Sequence, residues 1–388
     1  MAQIVLHALL LFLFTFTPAT VAEGATPNVV NFGAKPDGET DSTNAFLSAW
    51  GRACSSTTPT TIHVPLGRFS VGKVVFKGPC KNKGITVRID GALVAPSNYD
   101  VIGNGGNWLH FDEVDGVAVF GGVLDGQGIG LWECKRSGKI CPTGATNLGF
   151  SNWKNIVMNG VRCVKSQMFQ IVIDRCENVR VEGVKVSAAG NSPNTDGIHV
   201  QLSSRVTILN STIATGDDCI SIGPGTTNLW IQNIACGPGH GISVGNELEE
   251  AGVENVTVKA VTFAGTENGV RIKSWGRPSN GFARNILFQH VTMLNVQNPI
   301  VIDQNYCPHQ NNCPGQVSGI RINNIKYLDI HGSSASEVAV KMNCCPKQQC
   351  SGISLEDLML TYETKQALAS CNHVRGIVSG LVQPNNCF

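Results

Sequence analysis

Asn178-Val179-Arg180-Val181-Glu182-Gly183-Val184-Lys185-Val186 reads as a strand of alternating character, a glycine turn and a second short strand. Comparable openings stand at Asn155, Arg205, Asn228, Asn255, Asn285, Gly319 and Gly352, each followed by alternating apolar residues. From Asn155 through Gly352 the starts are 23, 27, 23, 27, 30, 34 and 33 residues apart. Helical repeats of this length need a 3.6-residue period, and leucine-rich repeats need leucines at fixed offsets; neither is present. A propeller blade needs about 40 residues or more. Strand–turn–strand–turn units of the observed length stack as coils, so the sequence predicts an all-β chain folded as a right-handed parallel β-helix. Glycine and asparagine sit where the turns demand left-handed or crowded backbone.

Both ends of such a stack need covering. Asp41-Ser42-Thr43 followed by Ala45, Phe46, Leu47, Ala49 and Trp50 predicts a short capped amphipathic helix at the N-terminal end. The cysteine-rich tail from Cys344 to Phe388 is expected to close the other end, and residues 125–150 read as an irregular insertion. Before all of this, Ile4 to Phe16 is almost continuously apolar and Thr20-Val21-Ala22 follows in a small-residue pattern. That predicts a signal peptide over residues 1–22 and one β-helix domain over 23–388. The apolar run is shorter than the ~20 residues a membrane span needs.

The 388 residues carry a formal net charge of +1 and only 15% charged residues, so no global field attracts a polyanion or nucleic acid. Recognition of an acidic ligand must come from local cations. Fifteen cysteines suit an oxidising compartment. Spacing suggests bridges Cys134–Cys141, Cys307–Cys313, Cys350 with Cys345 or Cys344, and Cys371–Cys387, with Cys54–Cys80 and Cys219–Cys236 as longer ones. Cys163 and Cys176 lie in apolar strands and read as buried free thiols. Asn210-Ser211-Thr212 and Asn255-Val256-Thr257 are glycosylation sequons.

Four patches carry the chemistry: Asn194-Thr195-Asp196-Gly197-Ile198-His199, Gly216-Asp217-Asp218-Cys219, Gly239-His240-Gly241 and Arg271-Ile272-Lys273. They fall in successive coils. If equivalent coil positions form a column, Asp196, Asp217, Asp218 and His240 share one cleft wall, with Arg271 and Lys273 one coil further on. Glycosidic hydrolysis needs a protonated acid for the leaving oxygen and a carboxylate that activates water or attacks the sugar. Crowded carboxylates raise one another's pKa, which keeps a proton available. Two cations beside them suit an anionic sugar. Calcium could take Asp217 and Asp218, but no further ligands stand at suitable spacing, so no metal or cofactor is expected.

In this order the four patches resemble the polygalacturonases of glycoside hydrolase family 28, and Asn31-Phe32-Gly33-Ala34-Lys35-Pro36-Asp37-Gly38 is similar to the family's opening segment. The resemblance covers Asn31 to the C-terminus, and details such as His199 after NTDGI resemble plant members. It implies a β-helix hydrolase that inverts the anomeric centre. By motif position Asp217 resembles the general acid, Asp196 and Asp218 the pair orienting water, and His240 the residue supporting their ionisation. Arg271 and Lys273 resemble contacts to a galacturonate carboxylate, Tyr306 a substrate-binding tyrosine and Asn194 a polar contact. One departure is Asn246-Glu247-Leu248-Glu249-Glu250, where plant members usually have small residues. The implied protein is a secreted, monomeric, cell-wall enzyme cutting α-1,4-galacturonosyl bonds of de-esterified pectin, internally rather than from an end. Exo-cleavage, a rhamnogalacturonan-type hydrolase, a pectate lyase and a non-catalytic wall-binding protein are the rival readings.

Overall fold

The computed structural model describes residues 26–246, 251–307, 313–385 and 387–388. The predicted signal peptide and Glu247–Glu250 of the departing loop lie outside the described residues. Among the described residues, no helix is long and apolar enough to cross a membrane.

Among the described residues the strands form parallel ladders in a 19-stranded and an 11-stranded sheet, apart from one short antiparallel pairing of Thr361 and Tyr362 with Gln366 and Lys365. Each coil contributes strands to both sheets, as the period requires of a parallel β-helix. Strand register stacks the apolar positions: Val117, Ile156, Val179, Val206, Leu229, Val256, Ile286, Ile325 and Ile353 pair in succession, and all are buried. A one-residue slip would turn every one of them to solvent.

Just before this column runs another, Asn155, Asn178, Arg205, Asn228, Asn255, Asn285 and Asn324, each in the left-handed region with φ between 54° and 60°. Asparagine tolerates that conformation better than other L-residues with a Cβ. Its amides also link coil to coil: Asn178 Nδ2 donates to Asn155 Oδ1 at 2.7 Å, and Asn324 Nδ2 to Asn285 Oδ1 at 2.6 Å. The opening expected at Gly319 is therefore five residues too early. Gly319 sits in a loop, and Asn324-Ile325 takes the coil position because Ile325 is the register partner of both Ile286 and Ile353.

The predicted N-terminal helix is α1 (Thr43–Cys54). Asp41 Oδ1 accepts from the Thr43 backbone N–H at 2.9 Å at the start of this helix, but Ser42, at the N-cap position, makes no side-chain capping bond, so the expected cap does not form. Ala45, Phe46, Ala49, Trp50 and Ala53 face the end of the stack, where Trp50 meets Phe76 and Phe111 at 5.2 and 5.7 Å. Leu47, expected on that face, is turned outward. Residues 125–150 are more regular than expected. They hold α2 (Ile129–Arg136), fixed by Trp132 Nε1 donating to Ser166 O at 3.0 Å, and a strand over Thr146–Ser151 that joins the 11-stranded sheet.

All six bridges expected from spacing form, with Cys344 rather than Cys345 joined to Cys350. Cys163, Cys176 and Cys345 are free and buried, and burial pushes the thiols of Cys163 and Cys176 up to about 12. The tail adds another coil, with strands over Cys350–Tyr362 and Val374–Gln383, tied by Cys371–Cys387.

Candidate active site

Seven successive strands of the 11-stranded sheet build the cleft floor: β1 (Ile171–Asp174), β2 (Ile198–Gln201), β3 (Ile220–Ile222), β4 (Ile242–Asn246), β5 (Asn268–Trp275), β6 (Asn298–Tyr306) and β7 (Val338–Asn343). Ile198, Ile220, Ile242, Val270 and Ile300 are register partners along them. Asp196, Asp218, His240, Asn268 and Asn298 each stand two residues ahead of one of these. The column inferred from the period is real, and it runs two coils past His240. Asp217 rides beside Asp218 on the same turn. In the neighbouring outward column, His199, Ser221, Ser243, Arg271, Val301 and Lys341 are in register.

Turns this tight leave no room for side chains. A Cβ on Gly216 would lie 2.2 Å from Ser192 O, and one on Gly241, at φ +87°, 2.2 Å from Asn268 O. The aspartate-bearing turn is also tied to the coil by Cys219–Cys236.

Asp218 is 1% exposed and both of its oxygens are taken. Oδ1 accepts from Ser243 Oγ at 2.8 Å and from Arg271 at 2.9 Å, while Lys273 Nζ approaches Oδ2 at 3.3 Å. Arg271 Nε also donates to Ser243 Oγ at 2.9 Å. The two cations assigned from the sequence to a substrate carboxylate thus already hold a carboxylate of the protein. Tyr306 joins them: Lys273 Nζ and the Arg271 guanidinium lie 4.9 and 5.7 Å from its ring centre. Asn194 takes φ 55° in the exposed turn leading to Asp196.

Asp217 is the most accessible of the three carboxylates. His240 Nδ1 lies 3.2 Å from its Oδ1, and the His240 backbone N–H donates to its carbonyl at 2.7 Å. On the other edge of the ring, Nε2 lies 3.2 Å from Glu267 Oε2. The hydrogen bond to Asp217 raises the imidazole pKa; burial opposes this, and the charges of Asp217, Glu267 and Asp218 reinforce it. Burial alone would raise Asp217, but the His240 hydrogen bond and charge outweigh it and hold this carboxyl below the usual carboxylate range. Asp196 goes the other way. Burial, followed by the charges of Asp217 and Asp218, pushes it well above 3.8, against a hydrogen bond from Ser221. Both shifts favour the protonated form, of Asp196 on one side and of His240 on the other.

Glu267, Ser221 and Ser243 were missed in the sequence. The serines carried a signal, since they share the strand position of Arg271; Glu267 carried none, because its contact runs between turns. Ligand atoms of Asp217, Asp218 and His240 come within 4.8 Å of one another, close enough to hold an ion. With Arg271 and Lys273 on Asp218, a divalent cation there would face two positive groups, and His240 is not the oxygen ligand calcium prefers.

The family model for glycosyl hydrolases family 28 matches residues 54–382. A polygalacturonase of Prunus persica is 62% identical over 383 residues, covering 98% of this chain and 97% of its own. The chain belongs to glycosyl hydrolases family 28. An exopolygalacturonase of Platanus acerifolia is 41% identical over 375 residues, covering 94% of this chain and 98% of its own. Among solved structures, an endo-xylogalacturonan hydrolase from Aspergillus tubingensis superposes with a TM-score of 0.74 at 20% identity, over 89% of this chain and 98% of its own. That likeness places the fold with the right-handed β-helices of the family.

Proposed function

We propose that this family 28 enzyme is a secreted polygalacturonase that hydrolyses α-1,4-galacturonosyl bonds of de-esterified pectin, with Asp217 as general acid and Asp196 and Asp218 orienting the attacking water. The observation that carries this is the column of Asp196, Asp218 and His240 on adjacent coils, with Asp217 at its open side and Arg271 and Lys273 one coil on. Its relatives' names point to the same substrate.

The accessible carboxyl is the one a glycosidic oxygen reaches, which favours Asp217 as donor. Its proton has a source 3.2 Å away on His240 Nδ1. The productive arrangement has Asp217 protonated and Asp196 ionised, whereas burial raises Asp196 and His240 lowers Asp217. The two carboxyls belong to one coupled set, and pH–rate profiles report the set. Substrate selectivity follows from Arg271, Lys273 and Tyr306. Methyl esterification removes the charge the two cations pair with, so low-methyl pectin is the preferred form.

On polygalacturonate the protein should release reducing ends without forming unsaturated, ultraviolet-absorbing products, and a chelator should not slow it. Asp217→Asn should lose about 100- to 10,000-fold in kcat. On an aryl galacturonide, whose leaving group needs no proton, Asp217→Asn should recover most of that rate and Asp196→Asn should not. The reverse result exchanges the two roles. Unsaturated products or intact Asp217→Asn activity would sink the reading. Internal cleavage is the mode expected; the exopolygalacturonase relatives give removal of terminal units as the second. A hexamer cut first to trimers and tetramers supports the former, and one shortened a single unit at a time the latter.

A further inference from the structure

We propose that Lys341, positioned by Asn298, forms a second carboxylate-binding subsite for a galacturonate unit further along the chain than the one met by Arg271 and Lys273. This rests on the reading of the cleft as a polygalacturonate groove.

The placement comes from the ladder. Arg271 on β5, Val301 on β6 and Lys341 on β7 are successive register partners on the outward face. Neighbouring strands lie about 4.8 Å apart, so Lys341 stands roughly 10 Å beyond Arg271 along the groove. A cavity of about 420 Å³ spans that distance, lined among others by Asn268, Arg271, Asn298, Val301, Tyr306 and Lys341. It is continuous with the cluster at one end and has an ammonium group at the other.

The chemistry of Lys341 differs from that of the other two cations. Arg271 and Lys273 are both engaged by Asp218, whereas Lys341 makes no ion pair with a carboxylate among the described residues. Its Nζ donates to the neutral Asn298 Oδ1 at 2.7 Å and is half-buried. Asn298 Nδ2 in turn donates to Glu267 O at 3.0 Å and Asn268 Oδ1 at 3.3 Å, and Asn268 Nδ2 to His240 O at 3.2 Å. A chain of amides therefore holds the ammonium at a fixed offset from the catalytic turn. Half-burial without a compensating anion is costly for an ammonium, and a carboxylate arriving there gains a charge-assisted contact. Val301 between the cations leaves a small apolar floor on which a sugar face can rest. Asp303 also lines this cavity, and burial raises its carboxyl, so in acid it opposes an incoming anion less than an ordinary aspartate would.

The test is calorimetric binding of digalacturonate and hexagalacturonate to full-length Asp217→Asn protein, with and without Lys341→Gln, at one fixed low ionic strength. Digalacturonate is too short to bridge the reaction centre and the new subsite. Lys341→Gln should therefore weaken hexamer binding about five- to tenfold relative to dimer, the size of one partly exposed charge-assisted contact. Lys341→Arg should restore most of the ratio, which a packing defect would not. An unchanged ratio, or equal weakening of both ligands, overturns the subsite while leaving the functional reading in place. Absence of hexamer binding in the protein with Lys341 intact overturns both.

Discussion

Between Asp217 and Glu267, the His240 ring has an acceptor at each nitrogen, which favours the imidazolium over the neutral ring. Its folded pKa is raised, so the proton is kept above the ordinary 6.5 and lost only as pH climbs through the folded value. Glu267 is partly exposed, so its share of this effect is screened. Glu267→Gln should move the alkaline limb of the pH–kcat/KM profile towards acid by roughly half a unit while leaving the rate on the acid side of that limb nearly intact. A limb that stays in place would show that Glu267 does not set the His240 proton. Asp217 carries the larger consequence at this scale, since it touches both the imidazole and the open cleft.

Turn residues decide how the coils stack. Asn285, at φ 56°, donates to Asn255 Oδ1 at 3.2 Å and accepts from Asn324 at 2.6 Å. Substitution by alanine combines a left-handed strain of about 1–2 kcal/mol with the loss of two exposed amide contacts. Glycine would lose only the contacts, because it adopts that backbone without strain. Thermal or denaturant unfolding should rank wild type above Asn285→Gly and Asn285→Gly above Asn285→Ala, with alanine costing about 2 kcal/mol in total. An alanine variant as stable as glycine would mean that the ladder, not the backbone, selects asparagine here. Of the two sequon asparagines, Asn255 belongs to this ladder and donates to Asn228, while Asn210 lies outside it and accepts from Asn233 on the next coil, so both amides already have coil-to-coil partners.

For the molecule as a whole, the buried cluster ties stability to pH. Asp196 has its folded pKa raised, so its contribution is fully present below the ordinary value of 3.8 and is lost as pH rises through the folded value. The raised His240 acts in the same sense, from 6.5 upward. Asp217, held low, acts oppositely: its contribution is present above 3.8 and is lost as pH falls through its folded pKa. Asp196→Asn removes the first of these. Its unfolding free energy should therefore fall less steeply than that of wild type as pH rises from about 4, a single group accounting for at most ~1.4 kcal/mol per pH unit. Parallel stability–pH curves for the two proteins would refute the assignment of the proton to Asp196. The stacked coils spread such losses only to neighbours, as in other solenoids.

The solenoid and the helix over its N-terminal end were legible in the residues alone; spacing suggested the six bridges, one of them only to within a residue, and the folded chain fixed their pairing. The sequence also marked four motifs whose residues meet in one cleft. Period-2 alternation inside a period of one coil leaves a single way to bury the apolar face, and that survives unequal coil lengths. What such lengths hide is register. Only the hydrogen-bonded ladders decided that Asn324 and not Gly319 opens its coil, that Ser243 and Asp218 hold Arg271, and that Glu267 reaches His240. Those contacts join residues some 25 to 55 positions apart through backbone pairing. Inserted turns change the spacing in the chain without moving the rungs, so no count along the sequence could supply them.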